Sequence, residues 1–385
     1  MLFDQQLQNL NISLIEQQTS VTTDIDIETL LAKDSISYEE FLLLLSPAAA
    51  CHLEPMAIKA RQLTAQHFGR TIQLYVPVYL SNECHNQCLY CGFNHSIKQQ
   101  RITLTPTQMQ KEFEAIKQQG FDQVLLLTGE APQSAGIDYL VEAVKLARKY
   151  FTQVSLEIFP ASTQDYGKLV ASGASGLTIY QETFDREIYA QVHPKGKKSD
   201  YGWRLDTPDR ALSAGFRKLG IGVLLGLADW QRDIAALAYQ GKYLLNKYWQ
   251  SALSISFPRM HYTPDGYTPH CQVTDRELLQ IIFALRIFLP EIGLVLSTRE
   301  PAQLRDNLIG FGITQISAGS KTNPGGYQEL DTCQQFTVED QRELHQVITK
   351  IKEQGYDPVL KDWDPAFEGI GSRDQMPGSR KVKHL

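Results

Sequence analysis

The stretch TIQLYVPVYLSNECHNQCLYCGF, residues 71–93, joins an apolar run to a loop that carries three cysteines. Its first part, Thr71–Leu80, is rich in β-branched and aromatic side chains and predicts a buried strand. The loop that follows places Cys84, Cys88 and Cys91 in a C-x3-C-x2-C spacing. Three thiols crowded this closely behind a strand indicate a metal site rather than a disulfide framework.

Short apolar runs of the same kind recur along the chain, with amphipathic segments between them. We predict eight strands: Thr71–Leu80, Val124–Glu130, Val154–Phe159, Gly176–Glu182, Ile221–Leu227, Ala252–Arg259, Gly293–Glu300 and Thr314–Ser320. Strands alternating with helices over about 250 residues are typical of an α/β fold of the (β/α)8 TIM-barrel type, here residues 71–320. A doubly wound open sheet gives the same alternation, because a sequence does not reveal whether a sheet closes.

The amphipathic segments predict the helices of this barrel. Thr105–Gln119 is expected to end at Gly120, since glycine suits the left-handed conformation that closes many helices. For the same reason, Thr207–Leu219 is expected to end at Gly220. Thr274–Glu277 has the form of a capping box and predicts the start of another helix.

Two flanking regions differ from the barrel pattern. Residues 1–70 have apolar side chains at helical spacing and no strand-like run, which predicts a helical N-terminal extension. Residues 321–385 predict a short C-terminal extension with one helix at Val338–Gln354. Beyond Trp363 the chain is rich in glycine, proline and charge, so we predict a mobile tail there.

Composition excludes several classes of function. The 385 residues include 37 Lys and Arg and 43 Asp and Glu. The resulting net charge of −6 argues against nucleic-acid binding. No apolar run approaches the roughly 18–20 residues of a membrane span, and the N-terminus lacks the pattern of a secretory signal. We therefore expect a cytoplasmic protein that binds no membrane.

The cysteine loop predicts the kind of metal. Cys84, Cys88 and Cys91 suffice to hold three irons of a [4Fe–4S] cluster, which leaves the fourth iron open to a ligand. The alternative is zinc, with His95 as the fourth ligand of a Cys3His site. The position of the loop favours the cluster, because active sites of this fold lie at the C-terminal ends of the strands. His85 and His95 are then ordinary polar residues of the loop.

Polar side chains gather at or near the C-terminal ends of the predicted strands: Glu130, Glu157, Glu182, Arg259, Arg299, Ser317 and Ser320. If these ends meet at one barrel mouth, the pocket carries both signs of charge. An amino acid needs a carboxylate for its ammonium group and is well served by an arginine for its carboxylate. The sequence therefore predicts a pocket for zwitterionic ligands.

The cysteine spacing, with aromatic Tyr90 before the last cysteine, resembles the radical S-adenosylmethionine superfamily. This resemblance implies that S-adenosylmethionine chelates the open iron and is cleaved to a 5′-deoxyadenosyl radical. It also implies that Tyr90 lies against the adenine, although ordinary packing accounts for this residue equally well. Leu127–Glu130 is similar to the Gly-Gly-Glu element that receives the cofactor ammonium group.

Further residues take implied roles from the same resemblance. Glu182 and Arg204 resemble the ribose and carboxylate contacts of the cofactor. Arg299 and Ser317 remain available for the carboxylate of a substrate. The roles of Glu157 and Arg259 stay open, and a plain structural ion pair is the alternative for each of these charged residues.

Within the superfamily, the chain is similar to the aromatic amino acid lyases and most of all to the 2-iminoacetate synthase family. Matching segments include Cys91–Phe93, Glu157–Pro160, Tyr180–Phe184, Ser256–Arg259, Ser297–Glu300 and Lys361–Asp364. The resemblance implies cleavage of the Cα–Cβ bond of L-tyrosine to 2-iminoacetate and 4-methylphenol. The implied partners are a low-potential electron donor and the thiazole synthase of thiamine biosynthesis.

Several alternatives accompany this interpretation. A tryptophan lyase or a deazaflavin-assembly subunit shares the barrel and the cluster. The hydrogenase-maturation tyrosine lyase carries a second cluster on a C-terminal Cys-x2-Cys pair, whereas only Cys333 follows Cys271 here, which disfavours that reading. From a different class, a zinc-bearing binding protein could use the barrel as a scaffold.

Overall fold

The computed structural model describes residues 3–8, 22–261, 266–330 and 332–361. In this part of the chain, parallel strands form a single sheet: β1 Thr71–Tyr75, β2 Pro77–Ser81, β3 Gln123–Thr128, β4 Gln153–Glu157, β5 Gly176–Glu182, β6 Lys218–Val223, β7 Ala252–Ser256, β8 Gly293–Leu296, β9 Gln315–Ser317 and β10 Asp357–Val359. Their order in the sheet is β10-β1-β9-β8-β7-β6-β5-β4-β3-β2. Each predicted run overlaps at least one of these strands.

The first predicted run joins the two ends of the sheet. It is interrupted at Val76, so that β1 pairs with β9 and β2 pairs with β3. The Val76 carbonyl itself accepts a hydrogen bond of 3.0 Å from Leu125 N. The continuous segment from β1 to β2 therefore pairs with β9 through its first half and with β3 through its second half. Because β3 to β9 are themselves paired in sequence, the strands curve into a barrel, and the doubly wound alternative is wrong.

The predicted runs are longer than the strands in most cases. The run at Ala252–Arg259 ends as a strand at Ser256, and the run at Gly293–Glu300 ends at Leu296. The residues just beyond each strand belong to the loops at the barrel mouth. Several of them, including Phe257 and Thr298, are buried, which explains why the sequence pattern continues past the sheet.

Helices connect the strands and flank the barrel: α1 Phe3–Gln8, α2 Asp24–Leu31, α3 Tyr38–Leu43, α4 Leu53–Phe68, α5 Pro106–Gln119, α6 Ile137–Ala147, α7 Thr163–Ala171, α8 Arg186–Val192, α9 Tyr201–Leu205, α10 Thr207–Ser213, α11 Trp230–Lys247, α12 Asp275–Phe288, α13 Ala302–Asn307 and α14 Leu344–Glu353. Gly120 ends α5 in the left-handed conformation, as predicted. Thr274 begins α12 with the predicted capping box. None of the helices in the described residues is long and apolar enough to cross a membrane.

One predicted helix is wrong at its end. The segment from Thr207 stops being helical at Ser213, and Gly215 takes the left-handed conformation with φ +105°. Gly220 instead lies inside β6, where a Cβ atom would approach the Thr178 hydroxyl to 2.8 Å. Glycine is needed there for space rather than for a helix end.

The N-terminal helices pack on the outside of the barrel. The Gln280 side chain on α12 donates hydrogen bonds to the carbonyls of Leu44 and Ser46 at 2.9 and 2.8 Å. The Phe41 ring stacks on Phe288 with 4.7 Å between centroids. The described residues before Gly69 contain helices and no strand, in line with the predicted helical extension.

The C-terminal extension returns to the barrel. The predicted helix at Val338–Gln354 is too long, since only Leu344–Glu353 is helical. The residues before it form a loop because Asp340 is buried in an ion pair with Arg305. Strand β10, which the sequence pattern did not predict, pairs with β1. The predicted mobile tail beyond Trp363 lies outside the described residues, and the limits of the three predicted regions stay predictions.

Candidate active site

The loop between β2 and α5 carries the three cysteines at the C-terminal end of the barrel. Arg101 shapes this loop by donating hydrogen bonds to the carbonyls of Asn82, Phe93 and Asn94, at 2.8, 3.0 and 2.6 Å. The loop also lies directly on Gly129, where a Cβ atom would come within 2.2 Å of the Glu83 carbonyl oxygen. Glycine at this position therefore lets the cysteine loop reach the mouth of the barrel.

Cys84, Cys88 and Cys91 line one cavity at this mouth. Cys88 is the most enclosed, with 6% of its surface exposed, and burial raises the pKa of its thiol to about 12. A thiol in such a place ionises only with a compensating positive charge, which a bound metal supplies. The hydroxyl of Thr128 is buried on the same wall and has no hydrogen-bond partner in the described residues.

The surroundings of His95 bear on the zinc alternative. Zinc requires four ligand atoms at about 2.0–2.3 Å from one point. In the described part of the chain, no three His, Cys, Asp or Glu side chains gather tightly enough to hold one ion. The His95 ring instead donates from Nδ1 to the Cys84 carbonyl oxygen at 3.0 Å. Cys84, Cys88 and Cys91 line one cavity, and no histidine is among the described residues that line it, which favours a cluster held by cysteines alone over a Cys3His zinc site.

Cys91 receives hydrogen bonds from two directions. Phe93 N donates to its sulfur at 3.4 Å from within the loop. Gln335 Nε2 donates to the same sulfur at 3.7 Å from the C-terminal extension. The Gln335 carboxamide oxygen accepts a bond of 2.6 Å from the Tyr79 hydroxyl, which holds the amide in this orientation. Sequence reasoning missed Gln335, because nothing local marks a glutamine so far along the chain as a neighbour of Cys91.

We expect the variant Gln335→Leu to lower the reduction potential of a cluster bound by these cysteines by roughly 20–60 mV. An N–H···S bond stabilises the more negative, reduced cluster, so its loss favours the oxidised form. The measurement is an EPR-monitored redox titration of the reconstituted protein. Gln334→Leu, an exposed neighbour, is the control and should leave the potential unchanged. Equal potentials for Gln335→Leu and wild type would contradict this expectation.

Glu130 follows β3 and faces the same cavity. One carboxylate oxygen accepts a hydrogen bond of 2.7 Å from Asn86 Nδ2. The Glu130 carbonyl accepts a second one from His85 N at 2.9 Å, within the cysteine loop. The carboxylate therefore has a fixed orientation and one oxygen with capacity for a ligand.

Glu182 ends β5 in a strained backbone conformation, with φ +77°. Its carboxylate pairs with Lys198 at 2.6 Å and with Arg204 at 3.5 Å. Burial opposes ionisation, but the two cations outweigh it and hold the pKa of Glu182 below its usual range. The buried Asp233 fixes the next residues by accepting hydrogen bonds from the Thr183 hydroxyl and the Phe184 amide.

Tyr90 is anchored by a short chain of hydrogen bonds. Its hydroxyl donates to His193 Nε2 at 2.8 Å, and His193 Nδ1 donates to the Tyr189 carbonyl at 2.9 Å. Burial lowers the pKa of His193 to about 2, so the imidazole is neutral and accepts through Nε2. The ring of Tyr90 is thereby held beside the cavity, with Lys198 Nζ 5.5 Å from its centroid.

Glu157 and Arg299 attract each other electrostatically at the barrel mouth. Glu157 lies on the cavity wall at the end of β4. The Arg299 guanidinium stacks on the Phe336 ring, 3.5 Å from its centroid, and burial lowers its pKa. In the described residues, neither side chain forms a hydrogen bond or an ion pair, so both are available to a ligand.

Comparison with known proteins identifies the family. A model of the radical SAM superfamily matches residues 78–238, and a model of the biotin and thiamin synthesis associated domain matches residues 256–357. The 2-iminoacetate synthase of Salmonella typhimurium is 43% identical over 344 residues, covering 89% of this chain and 91% of the relative. The Escherichia coli 2-iminoacetate synthase is 42% identical with the same coverage. The chain belongs to the 2-iminoacetate synthase family.

The fold of this 2-iminoacetate synthase family member agrees with a solved structure. The crystal structure of HydG, a maturase of the [FeFe]-hydrogenase, superposes with a TM-score of 0.86 at 32% sequence identity. The match covers 94% of this chain and 82% of the HydG chain. The expected radical SAM barrel is confirmed.

Two of the predicted residues, Arg259 and Ser320, are not among the residues that line the cysteine cavity. Arg259 donates from Nε to Glu300 at 3.0 Å and from Nη1 to the Val273 carbonyl at 2.9 Å. It also forms an ion pair with Asp275. Its donors are therefore committed to structure. Ser320 lies in a groove beside the C-terminal extension rather than on the cysteine cavity.

Ser317 lies deeper than expected. Its side chain is 2% exposed, and its hydroxyl oxygen accepts a hydrogen bond of 3.0 Å from Thr298 N. Thr298 immediately precedes Arg299, so Ser317 holds the backbone from which that guanidinium extends. A direct contact between Ser317 and a substrate stays a prediction.

Proposed function

We propose that this protein cleaves the Cα–Cβ bond of L-tyrosine at the barrel mouth, giving 2-iminoacetate and 4-methylphenol. The enzyme is a radical SAM lyase that uses a [4Fe–4S] cluster and S-adenosylmethionine, and its reaction belongs to thiamine biosynthesis. The observation that carries this conclusion is 43% identity over 89% of the chain to a 2-iminoacetate synthase. The charged cavity with three thiols agrees with it.

We assign the cluster to Cys84, Cys88 and Cys91. The shared cavity and the hydrogen bonds to Cys91 support this assignment. When bound, the cluster and S-adenosylmethionine supply the radical that removes a hydrogen atom from the substrate. The protein residues contribute binding, orientation and exclusion of water.

The S-adenosylmethionine site follows from the carboxylates around the cysteines. Glu130 has an oxygen free for the ammonium group of the cofactor, while Asn86 fixes its other oxygen. Arg204 and Glu182 form the ion pair that we assign to the carboxylate and ribose of the cofactor. We place the adenine against Tyr90, whose ring the bond to His193 holds still.

The substrate carboxylate is assigned to Arg299. A guanidinium presents two parallel donors that match a carboxylate, and stacking on Phe336 fixes its plane. Ser317 supports this arginine through Thr298 N. Tyrosine would then extend its side chain along the cavity, with its amino group directed away from Arg299.

The product determines the proposed partners. 2-Iminoacetate hydrolyses in water, so direct delivery to thiazole synthase is the proposed next step. The reaction also requires a low-potential electron donor for the cluster and for the 4-hydroxybenzyl fragment. We place the reaction in the cytoplasm, where a reducing environment keeps thiols available for the cluster.

We expect the anaerobically reconstituted protein to form 4-methylphenol and 5′-deoxyadenosine together from tyrosine, S-adenosylmethionine and a low-potential reductant. Chromatography of the quenched reaction measures both compounds. Tryptophan in place of tyrosine should give no aromatic fragment. Deoxyadenosine formation with tyrosine but without 4-methylphenol would reject the tyrosine assignment in favour of the tryptophan-lyase or deazaflavin-assembly alternatives.

A further inference from the structure

Among the acidic residues of the cavity, Glu157 stands out because no described residue forms a hydrogen bond or an ion pair with it. Glu130 is held by Asn86, and Glu182 is held by Lys198 and Arg204. The Glu157 carboxylate forms no hydrogen bond or ion pair with any described residue. A carboxylate at the end of a barrel strand, facing a cavity without a protein partner, points to a ligand with an N–H or O–H group.

The surroundings of Glu157 favour a group that can take up a proton. The ionisable side chains that interact electrostatically with it include Tyr75, Tyr79, Tyr180, Glu182, Lys198, Arg204 and Arg299. Burial and then the charge of Glu182 raise the pKa of Glu157 to about 7, while Arg299 and the other cations oppose this. A carboxyl group that titrates near neutral pH exchanges protons readily with a bound ligand.

We propose that Glu157 binds the amino group of tyrosine and accepts one of its ammonium protons before a hydrogen atom is removed from that nitrogen. This inference rests on the proposed function. Arg299 holds the substrate carboxylate, so the zwitterion lies between the guanidinium and Glu157. Because Glu130 is assigned to the ammonium group of the cofactor and Glu182 is paired with Lys198 and Arg204, Glu157 is the carboxylate that remains for the second amine in the cavity.

The proton transfer is balanced without any further reactant. One N–H bond of the ammonium group breaks, its electron pair remains on nitrogen as a lone pair, and an O–H bond forms on Glu157. Homolysis of an N–H bond is easier in a neutral amine than in an ammonium ion, so this step prepares the substrate for the radical. Glu157 releases its proton when the products leave.

The first test measures binding to the cluster-loaded enzyme. Tyrosine is compared with 3-(4-hydroxyphenyl)propanoate, which has the same ring and carboxylate but no amino group. Wild type should bind tyrosine more tightly, and Glu157→Gln should reduce this preference by about 10- to 100-fold. Glu142→Gln, at a surface glutamate paired with Lys145, is the control and should keep the preference. An unchanged preference in Glu157→Gln would overturn the proposal.

The second test separates a catalytic role from a structural one. At saturating tyrosine, the turnover of wild type should rise as pH rises through the ionisation of Glu157, because only the carboxylate accepts a proton. Glu157→Gln should lose this rise, whereas Glu157→Asp should keep it with reduced turnover. Cluster absorbance and circular dichroism verify that each variant is folded. A rise that persists in Glu157→Gln would count against the proposal.

The outcomes distinguish this inference from the proposed function. If wild type forms no 4-methylphenol from tyrosine, the proposed function itself fails. If wild type forms 4-methylphenol and Glu157→Gln matches it in both tests, only the role of Glu157 fails.

Discussion

Replacing Cys88 with alanine is expected to abolish the formation of both 4-methylphenol and 5′-deoxyadenosine. Cys88 is the most enclosed of the three cysteines, at 6% exposure. A cluster held by two cysteines loses iron, and without it S-adenosylmethionine is not cleaved. The measurements are iron content, the brown absorbance of the reconstituted protein, and product analysis.

The control for this prediction is Cys333→Ala. Cys333 is exposed and lies two residues from Gln335, outside the cysteine loop. Its replacement should leave iron content and both products at wild-type level. If Cys88→Ala retained a stable cluster and formed both products, the assignment of the cluster to this loop would be wrong.

The second large effect is expected from Arg299→Met, which should lower kcat/KM for tyrosine by about 100-fold. Methionine keeps an apolar contact with Phe336 but removes the charge and both parallel donors. The loss should appear mainly in the KM for tyrosine, while the KM for S-adenosylmethionine changes little. Steady-state kinetics of 4-methylphenol formation measure both constants.

Arg61→Met provides a matched control. Arg61 also lies over an aromatic ring, with its guanidinium carbon 5.4 Å from the centroid of Phe311, but it belongs to the N-terminal helix α4 outside the barrel. Its replacement should leave the KM for tyrosine unchanged. An equal KM for tyrosine in wild type and Arg299→Met would show that the substrate carboxylate binds elsewhere.

Patterns within short segments predicted much of the fold. The run from Thr71, the capping box at Thr274 and the end of α5 at Gly120 depend on neighbours in sequence, and all three are confirmed. The helix predicted to reach Gly220 was wrong because Gly215 already supplies a left-handed position. Strand β10 was missed because three residues beside β1 carry too little pattern to be noticed.

The candidate site was predictable only in part. The C-x3-C-x2-C spacing and the charged strand ends brought Cys88, Glu130 and Glu182 into view, and the fold gathers them around one cavity. The same reasoning treated Arg259 and Arg299 alike. Only the structure separates them, since Arg259 is bonded to Glu300 and Arg299 is not bonded to any described carboxylate.

By itself, the sequence determined the cysteine spacing, the alternation of strands and helices, and the family to which the chain is similar. These features depend on the order of residues along the chain, so they can be recognised without knowing which residues are in contact in the folded protein. The tertiary structure decided that the strands close at Val76, that Gln335 reaches Cys91, and that Glu157 alone among the cavity carboxylates has no bonding partner in the described residues. Each depends on contacts between distant segments, because hydrogen bonds and burial are formed by residues that only folding brings together.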